Sequence, residues 1–128
     1  VQISLLKIAS VDGAVIVTLP QKLSTDDENR GIAMFRSLNV PVTGIVENMG
    51  SMVLPYGSKY DLFGEGGGKA LADMTGVPYL GSIPVDREIR TGGDLGLPVT
   101  ITNPGSPAAI AFQDIAMRLH AQLHVEQN

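Results

Sequence analysis

The sequence predicts an α/β fold built on a thin parallel sheet. Two observations lead there. Short apolar, β-branched runs alternate with amphipathic helical stretches in the order strand, helix, strand, helix, strand, helix, which fits right-handed crossovers. The runs are apolar throughout rather than at every second residue, the pattern of strands covered on both faces.

Taken in order, residues 1–10, "VQISLLKIAS", read as a leading helix. "VDGAVIVTLP" (11–20) is the first buried strand, bounded by Asp-Gly and Pro. "STDDENRGIAMFRSLN" follows as a helix. Thr25 with Glu28, or Ser24 with Asp27, has capping-pair spacing, and Ile32, Phe35 and Leu38 form the apolar stripe. "VPVTGIVEN" (40–48) is the second strand. Residues 49–63 show no period and read as a long excursion. A short helix starts at about residue 67 and closes at Gly76, a C-cap glycine. "VPYLGSIPV" (77–85) is the third strand, and "DREIRTGGDLGLP" a turn or short helix followed by loop. "VTIT" (99–102) has the composition of a short edge strand. Residues 106–123 form a closing helix, with Ser106 at the N-cap and Pro107 at N1. Its apolar side is Ile110, Phe112, Ile115, Met117 and Leu119.

Three or four parallel strands make a thinner sheet than doubly wound folds usually have. An open edge on a buried parallel sheet is a liability. The pattern therefore reads as the back half of a larger domain, or as a chain that completes its sheet with a partner. The chain begins with Val1 rather than methionine, which reads as a processed chain or an excised piece. No repeat, low-complexity stretch or second domain interrupts residues 1–128.

Composition narrows the chemistry. With 44% apolar and 17% charged residues this is a globular composition. The net charge of −4 argues against a nucleic-acid face or an anionic-membrane surface. No run is long enough to span a bilayer, so the expected location is cytoplasmic, with an organellar origin left open. There is no cysteine, so disulfides and thiolate metal sites are excluded within the chain. His120 and His124 share a helix face; they fit a solvated terminal helix better than a metal site.

The loudest motif is "LFGEGGGKAL" (62–71). It has the composition of a phosphate loop but fails the count. In G-x-x-x-x-G-K-[ST] taken from Gly64, the second glycine falls on Lys69; and Lys69, set against the motif's own lysine, is followed by Ala70 where the magnesium-binding hydroxyl belongs. G-x-G-x-x-G fails at Lys69 as well. Gly66 to Gly68 read as a tight start to a helix, with a minor anion contact through free N–H groups left open.

At "GAVIVTLPQ", "GIAMFRSLNVPVTGIVENM", "YDLFGEGGG", "GVPYLGSIPVDREIR" and "SPAAIAFQDIA" the chain resembles the Mrp/ApbC family of iron-sulfur carrier ATPases, in the deviant P-loop group that includes MinD and ParA. The resemblance runs from about residue 1 to 120. It implies a P-loop NTPase-type doubly wound sheet that binds ATP, usually as a homodimer. The family's P-loop and its acidic D-x-P-P-G-x-G-D motif have no counterpart here, so the resemblance is to a C-terminal half. It implies an adenine contact at Asn48, which ends the "GIVEN" strand, with Pro84 and Asp86 of "IPVDREIR" flanking the base. A side-chain amide offers both a donor and an acceptor to adenine. Readings from local structure stand beside these: a turn cap for Asn48 and a strand terminator for Pro84. Arg87 and Arg90 face phosphate or a partner subunit, or else pair with Asp86, Glu88 or Asp94.

Many family members carry C-P-x-C after "ENM" and share an iron-sulfur cluster between subunits; some lack it. Here Leu54 stands at the first cysteine, Pro55 is kept, and the second falls around Tyr56 and Gly57. No bridging cluster is expected. "MVLPY" is either a contact surface or a loop packed on its own domain.

The implied function is that of an Mrp-like ATP-binding protein of iron-sulfur cluster assembly or transfer. Only the adenine-side contacts are expected here, without a magnesium site, and the chain alone is not expected to hydrolyse ATP. Expected partners are a second copy or a related subunit and an iron-sulfur client protein. The alternatives are a non-catalytic interaction module and a MinD/ParA-like ATPase fragment.

Overall fold

The computed structural model describes residues 10–20, 22–53, 59–60 and 66–127. Its centre is β2 (Val42–Val53), with β1 (Ala14–Thr18) parallel to it on one side and β4 (Tyr79–Val85) parallel on the other. Ile45 sits between Ile16 and Tyr79, and Glu47 between Thr18 and Ser82. A two-residue strand, β3 (Lys59–Tyr60), runs antiparallel to the end of β2. Met52 pairs with Tyr60 and also with Val85, so β3 prolongs the β1 side. The fold is the expected α/β type, three parallel strands wide.

Helices cover both faces. α1 (Lys22–Ser37) and α2 (Gly67–Thr75) pack on one face around Ile16, Ile32, Ile45, Leu71, Ala72 and Val77. On the other, α5 (Pro107–Gln127) lies across β4 and β2 over Val46, Leu80 and Ile83, with Phe112, Ile115 and Leu119 against them. Two short helices, α3 (Arg87–Leu95) and α4 (Val99–Thr102), connect β4 to α5. The caps of α2 and α5 follow the sequence. Gly76, at φ 75°, ends α2 with its N–H on the Ala72 carbonyl, and Ser106 Oγ accepts from Ala109 N–H at 3.1 Å.

Several expectations need correction. Residues 99–102 are a helical turn, not an edge strand; Ile101 and Thr102 N–H donate to the Pro98 carbonyl, which a strand could not arrange. The helix expected from Ser24 starts at Lys22, so both proposed capping pairs lie inside it. The second strand does not stop at Asn48 but continues to Val53, and part of the expected excursion is β2 and β3. The first strand is not buried on both faces. Ile16 and Thr18 are buried under α1 and α2, whereas Val15 and Val17 are 36% and 54% exposed. The reason is geometric: α5 packs chiefly on β4 and β2. The leading helix of residues 1–9 and the Leu54 to Gly57 stretch lie outside the described residues.

Candidate functional site

Side chains alternate across a strand, so Glu47 and Asn48 project to opposite faces of β2, where its pairing with β1 ends and its pairing with β4 becomes irregular. The two faces are organised differently.

On the Glu47 face lies the glycine-rich motif. Glu47 is 5% exposed and its Oε1 accepts from the Gly68 N–H at 3.1 Å. Its Oε2 lies 3.5 Å from the Tyr79 hydroxyl. Burial, and then the Glu47 carboxylate, raise the Tyr79 hydroxyl above its ordinary 10.0. A helix N-terminus attracts an anion through its free N–H groups and its dipole. At α2 that anion is the protein's own carboxylate. Each described glycine of the motif, Gly66 to Gly68, has a local role. Gly66 holds a φ of 77°; a Cβ on Gly67 would collide with the Pro20 carbonyl; a Cβ on Gly68 would come within 2.9 Å of Glu47 Cβ. Residues 66–68 bring a helix start close against two strand ends, and that packing accounts for Gly67 and Gly68; residues 62–65 of the motif lie outside the described residues.

On the Asn48 face is a cavity of about 790 Å³ that brings together all three residues singled out from the sequence, Asn48, Pro84 and Asp86. Met49, Met52, Val85, Arg87, Ile89, Arg90 and Pro107 complete much of its wall. It opens at the C-terminal ends of β2 and β4, where open α/β sheets bind ligands. Its volume and mixture of apolar walls with a few polar groups fit a small organic ligand.

The polar groups are partly committed. Asn48 Oδ1 accepts from the Met49 N–H at 3.0 Å and keeps a second lone pair, while its Nδ2 amide remains a donor. Asp86 is the N-cap of α3, its Oδ1 accepting from Glu88 N–H at 2.8 Å; its second oxygen remains an acceptor. Pro84 does not terminate its strand. It lies within β4, which pairs only with β2 among the described residues, and an edge strand tolerates a residue without an N–H.

Met49 and Met52 were missed in the sequence because the strand was ended at Asn48. Met49 has a φ of 57°, a left-handed conformation that costs a side-chain-bearing residue about 1 kcal/mol. By Met52 the register of β2 against β4 has shifted, Asn48 pairing with Ile83 and Met52 with Val85. This irregularity carries the wall of the cavity. The pairing of Arg87 and Arg90 with local carboxylates is not what the fold forms. Asp86 is engaged as a cap, and Glu88 Oε2 accepts from Asn103 Nδ2 at 3.0 Å.

A second cavity, about 710 Å³, lies between α3, α4 and α5. Ile89, Leu97, Val99 and Phe112 line it, with Thr100 and Gln113 as its polar side chains. His120 and His124 are exposed; His124 Nδ1 lies 3.0 Å from the His120 carbonyl oxygen. Among the described residues no cluster of His, Asp and Glu could hold a metal, and no helix is long and apolar enough to cross a membrane.

The family described as ParA, NUBPL iron-transfer P-loop NTPase, matches residues 1–120. An iron-sulfur cluster carrier protein of Deinococcus radiodurans is 45% identical over 126 residues, which cover 98% of this chain and 35% of that protein. The iron-sulfur protein required for NADH dehydrogenase in Arabidopsis thaliana mitochondria is 40% identical over 119 residues, 92% of this chain and 38% of that protein. This chain thus spans little more than a third of the length of either relative. Among solved structures, a nucleotide-binding protein of Archaeoglobus fulgidus in complex with ADP is 37% identical with a TM-score of 0.59, covering 66% of this chain and 35% of that one. The Pyrococcus furiosus cell division ATPase MinD superposes with a TM-score of 0.70 at 24% identity, over 86% of this chain and 43% of that one, a likeness of fold alone. On the match over residues 1–120, the chain belongs to the NUBPL iron-transfer P-loop NTPases of the ParA group.

Proposed function

We propose that this chain is the base-binding portion of an ATP-binding iron-sulfur carrier, a C-terminal half-domain whose phosphate and magnesium contacts come from residues outside these 128. The observation that carries the reading is the single cavity uniting Asn48, Pro84 and Asp86 at the ends of two parallel strands. In this reading the Asn48 Nδ2 donates to a ring nitrogen of adenine. The free oxygen of Asp86 accepts from the exocyclic amine. Pro84 and the two methionines supply an apolar surface to the ring. The binding of ADP by the Archaeoglobus fulgidus relative supports a nucleotide as the ligand. Any cluster handled by the whole protein is cargo. The chain has no cysteine, so none of these 128 residues supplies a thiolate ligand to it.

Calorimetric titration of the chain with ADP tests this. Saturable binding is expected, weakened about tenfold by Asn48→Ala, the loss of one good hydrogen bond to the base. Absence of binding, or binding indifferent to Asn48→Ala, contradicts it. ATP hydrolysis by the chain alone is expected to be nil, because the groups that hold the γ-phosphate and magnesium are not among its residues.

A second reading, a module that pairs with itself or with a related subunit, is favoured by β1. That strand pairs only with β2 among the described residues and leaves Val15 and Val17 exposed. Light scattering separates the two readings: a well-folded monomer at high concentration removes the second.

A further inference from the structure

We propose that Arg87 and Arg90 form a cationic wall of the cavity that stacks on the nucleobase, and that they bind the base rather than the phosphates. The inference rests on the nucleotide reading above and goes beyond it, since that reading gives neither arginine a role. Four observations carry it. Both residues line the same cavity as Asn48 and Pro84. They are three apart on α3, so they occupy one side of that helix. Neither guanidinium has a hydrogen bond or ion pair among the described residues, Asp94 of the same helix included; of the other carboxylates beside them, Asp86 accepts from Glu88 N–H and Glu88 from Asn103. The surrounding wall is apolar: Met49, Met52, Val85 and Ile89.

The chain carries a net charge of −4, so two unpaired cations at one cavity are a local feature and not part of a basic surface. A guanidinium is planar and weakly hydrated, and tolerates an apolar wall where an ammonium would not. The π-face of a purine attracts such a cation. The position also separates roles. The groups that read the base edge, Asn48 and Asp86, line the same wall as the arginines. The one described helix start with the composition of a phosphate loop is on the opposite face and is filled by Glu47.

The test compares adenosine, which has no phosphate, with ATP, each titrated into the 128-residue chain and its variants. The double variant Arg87→Ala/Arg90→Ala is expected to weaken both ligands by the same factor, about tenfold. The double lysine variant is expected to recover less than half of that loss, because it restores charge without the plane. A double Arg→Met variant, which keeps the aliphatic stems, serves if the alanine protein folds poorly, and is expected to lose the same factor. Loss confined to ATP overturns the proposal in favour of a phosphate contact, and unchanged affinity for both ligands overturns it outright. If the wild-type chain binds neither ligand, the nucleotide reading falls and this inference with it. If it binds adenosine without dependence on either arginine, only this inference falls.

Discussion

Glu47 and Asn48 are neighbours in sequence and face opposite sides of one strand, and the two sides show how differently a fold can use the same strand ends. On the Glu47 side a motif with the composition of a ligand loop is closed. Its helix N-terminus, its glycines and a tyrosine are all engaged by groups of the chain itself. On the Asn48 side, strand and helix ends with no conspicuous motif leave an amide, a carboxylate oxygen and two guanidiniums around an open cavity. Composition marks where backbone must approach closely. Whether a ligand can bind depends on which groups the fold leaves unsatisfied.

If that contrast is right, substitutions on the closed side should cost stability and those on the open side should cost binding. The largest effect is expected from Glu47→Ala. It strands the buried Gly68 N–H and leaves a void, a loss of about 3 kcal/mol in chemical denaturation. A loss below about 1 kcal/mol would mean that the carboxylate does not hold the helix. Next is Gly67→Ala, whose Cβ collides with the Pro20 backbone; about 2 kcal/mol is expected by the same measurement, with ADP affinity of the folded protein unchanged. A wild-type stability together with lost nucleotide binding would reverse the assignment of the two sides.

Asp86→Ala blurs the comparison in an informative way. Removing the α3 N-cap should cost about 1 kcal/mol of stability, and nucleotide affinity should fall as well, since the residue also lines the cavity. Affinity that stays at the wild-type level would reduce Asp86 to a cap. The smallest effect concerns pH. The Tyr79 hydroxyl is held above 10.0 in the fold by burial and by Glu47. The folded state thus favours the protonated phenol. Its contribution is fully present below the unfolded value and is lost as pH rises past 10.0 towards the folded value. Denaturation midpoints between pH 9 and pH 11 should therefore fall more steeply for the wild type than for Tyr79→Phe; parallel slopes would remove Tyr79 from the account.

Much of this was legible in the sequence, for stated physical reasons. Strands covered on both faces read as continuous apolar runs, and β2 and β4 were found that way. Ser106 and Gly76 were read from cap chemistry, which acts over a few residues. Asn48, Pro84 and Asp86 were reached through resemblance, not from composition, and the fold brings all three to one cavity. What stayed hidden depends on contacts distant in sequence. Nothing local tells that Glu47 caps a helix 21 residues away, or that Asn103 occupies Glu88 and so leaves the arginines unpaired. The continuation of β2 past Asn48 was missed because Met49 adopts a left-handed φ that no propensity assigns to methionine. "VTIT" was misread because β-branched composition favours strands only where a neighbouring strand is in reach.

The most direct test of the contrast is to follow backbone amide resonances of the chain during titration with ADP. The account predicts shifts at Met49 and across Ile83 to Arg90, with Gly66 to Ala70 unmoved. Shifts concentrated at Gly67 and Gly68, with Met49 and the start of α3 silent, would contradict it and return the phosphate to the glycine-rich helix start.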